Sequence, residues 1–187
     1  VSTHDTRTND HNYFDEHKNS EILRKVAHKC YLPTNKIILD LIKNTGGKFR
    51  VSYSISGVAL DQFEKYAPEV LDSFKELAKT GHVEFLNETY YHSLSYLYDK
   101  EEFSEQVLLH KRRIKELFGV ETTTFRNTEL VFNNELGKFI EDMGYSAILA
   151  EGADHILGWR SPNFLYTPNT CSNIKLLLKN YKLSDDI

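Results

Sequence analysis

The chain has 187 residues, 40% of them hydrophobic and 27% charged, with a net charge of −4. This is the composition of an ordinary globular protein, and the lack of a basic face argues against a nucleic-acid partner. No apolar run approaches the roughly 18 residues of a membrane span, and Cys30 and Cys171 form no CxxC pair, so neither a disulfide framework nor a structural zinc site is expected. The expectation is one domain in a reducing cytoplasm, with no membrane partner, metal or cofactor. Tyr and Phe number 11 each beside a single Met. They must supply much of the core bulk, and any surplus can line a groove.

Taken in chain order, residues 19–47 read as two helical pieces broken at Pro33. In 48–57, Phe49, Val51, Tyr53 and Ile55 alternate with polar neighbours and end in a glycine, the pattern of a strand. Residues 60–81 carry Val70, Leu71, Phe74, Leu77 and Ala78 at helical spacing, with Gly81 as the stop. Residues 82–87 form a second strand, 99–120 a helix and 122–127 a third strand. Residues 133–144 are a helix with an Asn cap and a Gly end, and 145–152 and 174–180 complete the strands. Strands starting near 49, 83, 122, 146 and 174 with helical crossovers imply an α/β protein with a parallel sheet buried on both faces. An open doubly wound sheet and a piece of a (β/α) barrel share this pattern, and both carry functional groups at the carboxyl ends of the strands. At the end of the chain, Ser184 and the Asp residues after it resemble a helix N-cap with no helix following. The 187 residues therefore read as part of a longer domain, truncated at both ends.

Chemistry-bearing residues gather at those strand ends. Glu84 lies in the second strand, with Glu88, Tyr90, Tyr91 and His92 in the loop beyond it. Arg126, Asn127 and Glu129 follow the third strand. Glu151, Asp154 and His155 follow the fourth, ahead of Trp159 in "GWRSPNFLY". Aromatic faces stack on pyranose rings, His and Asn bind hydroxyls, and carboxylates do the chemistry, so the combination points to a sugar site. Each residue also has a plainer reading. Glu84 can be a satisfied structural carboxylate, Glu129 a charge offset by the dipole of the next helix, and His92 and Trp159 packing residues. His11, His17 and His28 read as solvated.

The strings "GHVEFLNETYYHSL" and "FRNTELVFNNELGKFIEDMGY", with "EGADHILGWRSPNFLY" behind them, resemble glycoside hydrolase family 57, in particular its bacterial α-amylase-like members. The resemblance runs from about residue 20 to the end. It implies a seven-stranded incomplete (β/α) barrel, an α-glucan or maltooligosaccharide substrate and a retaining mechanism. It makes Glu129 the nucleophile and places Glu84 in the same pocket. The residues gathered at the strand ends make Tyr91, His92, Arg126 and Trp159 the further substrate contacts expected. Glu84 and Glu129 are expected to open onto one cleft, with Tyr91 and Trp159 partly exposed at its rim. A retaining enzyme needs a second carboxyl about 5 Å from the first. The family's acid/base Asp belongs to a motif downstream of residue 187, and its first-strand His-Gln-Pro motif is not reproduced by His4. Asp154 is the best-placed substitute within the chain, without support from the family. The isolated chain is accordingly expected to be inactive.

Two other readings compete. A polysaccharide deacetylase shares a similar barrel but needs an Asp and two His on a metal. His11 and His17, six apart, and His82 and His92, flanking a strand and its loop, do not supply the usual pair. A non-catalytic carbohydrate-binding domain is the third reading, kept open by the missing acid.

Overall fold

The computed structural model describes residues 14–185. Its contacts divide the chain into two compact units. One takes the described residues up to Arg50 together with Ala59–His82, and the other takes Val51–Val58 and everything described from Val83 onward.

The first unit is helical. Helix α1, Glu16–Val26, starts at Asp15, whose carboxylate accepts the Lys18 N–H at 2.9 Å. A π-helical turn over Ala27–Tyr31 leads directly into α2, Leu32–Asn44. The expected break at Pro33 does not occur. Proline cannot donate to the carbonyl four residues back, and a wider turn just ahead of it lets the chain continue as helix. The single helix expected over 60–81 is two, α3 at Gly57–Tyr66 and α4 at Pro68–Lys79. Here proline does interrupt: Ala67 leaves the helical region at φ −149°, and Pro68 takes the first turn of α4, where no N–H is needed. Val70, Leu71, Phe74, Leu77 and Ala78 of α4 are all buried, as their spacing requires. Phe63 meets Tyr31 edge to face at 4.9 Å and lies 6.2 Å from Phe74. The buried Asn35 amide donates to the Ser73 hydroxyl at 2.9 Å, tying α2 to α4.

The second unit holds five short strands, all in parallel pairings. Strands β1 (Val51–Tyr53) and β2 (Val83–Phe85) form one sheet. Strands β3 (Thr124–Arg126), β4 (Ala147–Glu151) and β5 (Lys175–Lys179) form the other, in that order. An isolated parallel bridge, Asn87 to Phe125, carries the ladder from the end of β2 to β3. Helix α5 (Lys100–Phe118) connects β2 to β3, and α6 (Asn134–Asp142) connects β3 to β4. Both helices start and stop where the sequence indicates. Asp99 caps α5 and Gly119 ends it at φ 70°, while Asn133 caps α6 through the Leu136 N–H at 2.7 Å.

Aromatic residues dominate this core. Phe103 is fully buried and stands edge-on to Tyr96, Phe125 and Phe139, and Phe85 stacks on Phe118 at 4.2 Å. The chain beyond β5 differs from expectation. A short helix, α7, Asp154–Leu157, follows β4, and Ser184 does not cap an absent helix but sits within another short one, α8, Tyr181–Asp185. No described helix is long and apolar enough to cross a membrane.

One carboxylate anchors the entry to β5. Glu141, on α6, accepts the backbone N–H groups of Asn173, Ile174 and Ser172 at 2.6, 3.1 and 2.9 Å, and these bonds hold its pKa down to about 2 from an ordinary 4.5. Its folded pKa lies below its unfolded one, so its contribution is complete above about pH 4.5 and is lost as the pH falls toward 2. Glu141→Gln is expected to flatten stability against pH across that window, measured by urea unfolding at stepped pH. A variant with the parental slope would show that Glu141 carries none of the acid sensitivity.

Candidate active site

Alternation along parallel strands sends every second side chain to one face. Ser52 and Ser54, Glu84, and Thr124 and Arg126 share a face of the second unit and meet in two tiers. In the lower tier Glu84 accepts the Ser52 hydroxyl at 2.9 Å and the Thr124 hydroxyl at 2.6 Å, so one carboxylate ties β1, β2 and β3 together. In the upper tier the Ser54 hydroxyl donates to Glu88 at 2.5 Å, and the Arg126 guanidinium donates to Ser54 at 3.5 Å.

Glu88 is almost completely buried, and its second oxygen faces His92 Nδ1 at 3.5 Å. The other ring nitrogen, Nε2, lies 3.1 Å from Glu129 Oε1. A continuous line therefore runs from Ser54 through Glu88 and His92 to Glu129. The Glu129 side chain is 74% exposed and presents its second oxygen to open space.

The backbone around these residues is unusual. Among the described residues, the non-glycine positions with positive φ are His92 (53°), Glu129 (54°) and Leu130 (56°). The Glu129 turn is closed by Leu130 N–H to Asn127 O at 3.0 Å and Val131 N–H to Thr128 O at 3.2 Å, while the Asn127 amide donates to Val131 O at 2.9 Å. The two loops meet beneath the histidine, where the buried Thr89 and Thr128 hydroxyls are 3.0 Å apart. Gly57 also matters here, because a Cβ at that position would fall 2.4 Å from the Tyr90 ring.

Asn87 supports both loops from below. Its main chain bridges to β3, with its N–H to Thr124 O at 2.9 Å and the Arg126 N–H to its carbonyl at 2.8 Å. Its side-chain amide donates to Val107 O at 3.1 Å and to the Tyr145 hydroxyl. Its Oδ1 lies 2.5 Å from His110 Nδ1, and His110 Nε2 lies 2.8 Å from the Ile55 carbonyl. Burial holds the His110 pKa below the ordinary imidazole value, against the opposing pull of the Ile55 carbonyl and the Glu88 charge. Burial likewise pushes Tyr145 up to about 12.

A cavity of about 670 Å³ opens beside Glu129, bordered by Phe132, Ile156, Leu157, Arg160, Tyr166 and Pro168 among others. Glu84 is not part of its lining. Tyr91 is 57% exposed and borders a different groove, along α5, with Gln106 and Lys111. Trp159 is 93% exposed, next to the Arg160 that lines the cavity. Asp154 receives the Tyr181 hydroxyl at 2.5 Å and is turned toward α8. Among the described residues, no three His, Cys, Asp or Glu side chains gather to hold a metal ion. His4 and His11 lie outside the described residues. The sequence reading underrated Ser54 and Glu88. Parity offered a signal, since Ser54 follows Ser52 by two and Glu88 precedes His92 by four.

The sequence model of glycosyl hydrolase family 57 matches residues 5–187. The chain belongs to that family. A Methanocaldococcus jannaschii protein named "Putative alpha-amylase" is 49% identical over 176 residues, covering 94% of this chain and 37% of its own length. Two solved structures share the fold. The 4-alpha-glucanotransferase of Thermococcus litoralis has a TM-score of 0.75 at 22% identity, over 89% of this chain and 26% of the other. The family 57 branching enzyme of Pyrococcus horikoshii has a TM-score of 0.71 at 15% identity, over 90% and 44%. The family 57 chain described here thus spans little more than a third of its Methanocaldococcus relative.

Asn87→Ala is expected to destabilise the protein by about 2–5 kcal/mol, because it strands the buried Tyr145 and His110 partners together. Urea unfolding measures this directly. A loss under about 1 kcal/mol would mean that those groups find other partners.

Proposed function

We propose that the full-length protein carrying this chain is a retaining glycoside hydrolase of the α-amylase type, or a 4-α-glucanotransferase, that acts on α-glucans through a covalent glycosyl-enzyme on Glu129. The observation that carries this reading is the setting of Glu129. It is an exposed carboxylate just past a parallel strand, with one oxygen engaged by His92 and the other free, beside a cavity with apolar and aromatic walls. Family membership supports the glycosidase class, and the named relative supports the substrate. In this reading the five parallel strands belong to a seven-stranded incomplete barrel, and the 187 residues are a single catalytic-domain fragment. Glu84, Tyr91, Arg126 and Trp159 serve the substrate. The free thiols of Cys30 and Cys171 accord with the reducing cytoplasm in which we place the protein.

The chemistry follows from the free oxygen. Glu129 Oε2 attacks the anomeric carbon, and the bond from that carbon to the glycosidic oxygen breaks with its electron pair on the leaving oxygen. A carboxylic acid supplied elsewhere in the full-length protein protonates that oxygen. Water or a sugar hydroxyl, deprotonated by the same carboxylate, then displaces Glu129, and this choice separates hydrolysis from transfer.

In the full-length protein, Glu129→Gln is expected to lower turnover of amylose by several orders of magnitude with glucan binding nearly unchanged, since it removes a group needed for bond formation rather than for ground-state contact. Parental turnover in that variant would refute the assignment. The isolated chain is expected to be inactive on amylose, lacking the acid that contributes about 10² to 10⁴ in rate. An aryl α-glucoside, whose leaving group needs less protonation, is where any residual activity would appear.

A further inference from the structure

We infer that His92 is a positioning residue for Glu129, a clamp that fixes which carboxylate oxygen faces the substrate. The inference rests on Glu129 being the nucleophile, and it replaces the sugar-contact role first expected of His92.

Three observations on different parts of the structure carry it. First, both ring nitrogens of His92 face carboxylates, Glu88 at 3.5 Å and Glu129 at 3.1 Å. One ring N–H directed at Glu129 is enough to hold its Oε1, and the second nitrogen keeps the ring facing Glu88. Second, the far carboxylate is fixed. Glu88 is almost fully buried and its remaining oxygen is occupied by Ser54, which also receives the Arg126 guanidinium. The histidine therefore hangs from a rigid support, while Glu129 on the other side is exposed and has no comparable hold of its own.

Third, both partners of the His92–Glu129 contact sit in left-handed backbone conformations, at φ 53° and 54°. A non-glycine residue in that region costs free energy that the surrounding structure must offset. Strain at both ends of one hydrogen bond fits selection for the contact rather than for stability. With Oε1 held by Nε2, the carboxylate cannot rotate freely, and Oε2 keeps the direction that attack on an anomeric carbon requires.

The test is made in the full-length protein with His92→Gly and His92→Gln. Glycine relieves the positive φ while deleting the imidazole. His92→Gly is expected to melt at or above the parental temperature, to lose about 10²-fold in kcat on amylose, and to bind the glucan as the parent does when compared in the Glu129→Gln background. Added imidazole should recover part of kcat. His92→Gln, whose amide can still donate one hydrogen bond to Glu129, should fall between the parent and His92→Gly. If His92→Gly melts lower as well as turning over more slowly, recovery of kcat by imidazole without recovery of melting temperature supports the clamp, and failure of both imidazole and His92→Gln to restore kcat overturns it. Parental kcat in folded His92→Gly also overturns it. The outcome for Glu129→Gln separates the two claims. Activity lost there but retained in His92→Gly sinks the clamp alone, whereas activity retained in Glu129→Gln sinks the nucleophile assignment on which the clamp depends.

Discussion

The arrangement of the second unit depends on Asn87. Its backbone makes the bridge that links the end of β2 to β3, and its side chain engages α5 at Val107 and His110 and the segment ahead of β4 at Tyr145. A buried amide with every partner satisfied is directional in a way that apolar packing is not, because its bonds fail when the strands slide. The register it enforces sets the loop after β2 against the turn after β3. Glu88 and Glu129 lie one and three residues beyond paired or bridged positions, so their meeting through His92 follows from that register.

The loops that carry His92 and Glu129 are strained while the elements beneath them are well capped and densely packed. Helices α5 and α6 start on side-chain caps, and aromatic edge-to-face contacts fill the core around Phe103. Unfavourable backbone conformations are concentrated in the loops above, at His92, Glu129 and Leu130. A stable base under a strained rim is the distribution expected when geometry at the rim is under selection and stability is supplied elsewhere.

Much of this was legible in the residues. The first strand followed from alternation, and the ends of α6 from its Asn cap and Gly stop, because these signals act within a few residues of where they lie. Glu129 stood out through its motif. What could not be read was tertiary or depended on compensation between neighbours. Pro33 and Pro68 are the same residue with opposite outcomes, since a widened turn ahead of Pro33 absorbs it while Ala67 turns out of the helix before Pro68. Ser184 has the composition of a cap, but the helix begins at Tyr181. The Glu88–His92–Glu129 line joins loops 37 residues apart, and no local pattern announces that span. Tyr91 and Trp159 are exposed as expected, yet Tyr91 borders the α5 groove rather than the cavity beside Glu129.

The π turn at Ala27–Tyr31 affects how this protein can vary in length. A turn closed by the Leu32 N–H on the Ala27 carbonyl holds one residue more than an α-helical turn would. Each residue rotates the following helix by about 100°. Removing one residue there would restore a regular helix, yet it would swing Asn35 away from Ser73 and turn the buried Ile42 outward. The extra residue thus works as a phase shift between α1 and α2, letting two successive helices direct their apolar stripes independently. Chains related to this one should tolerate substitution within the turn far more readily than a change in its length.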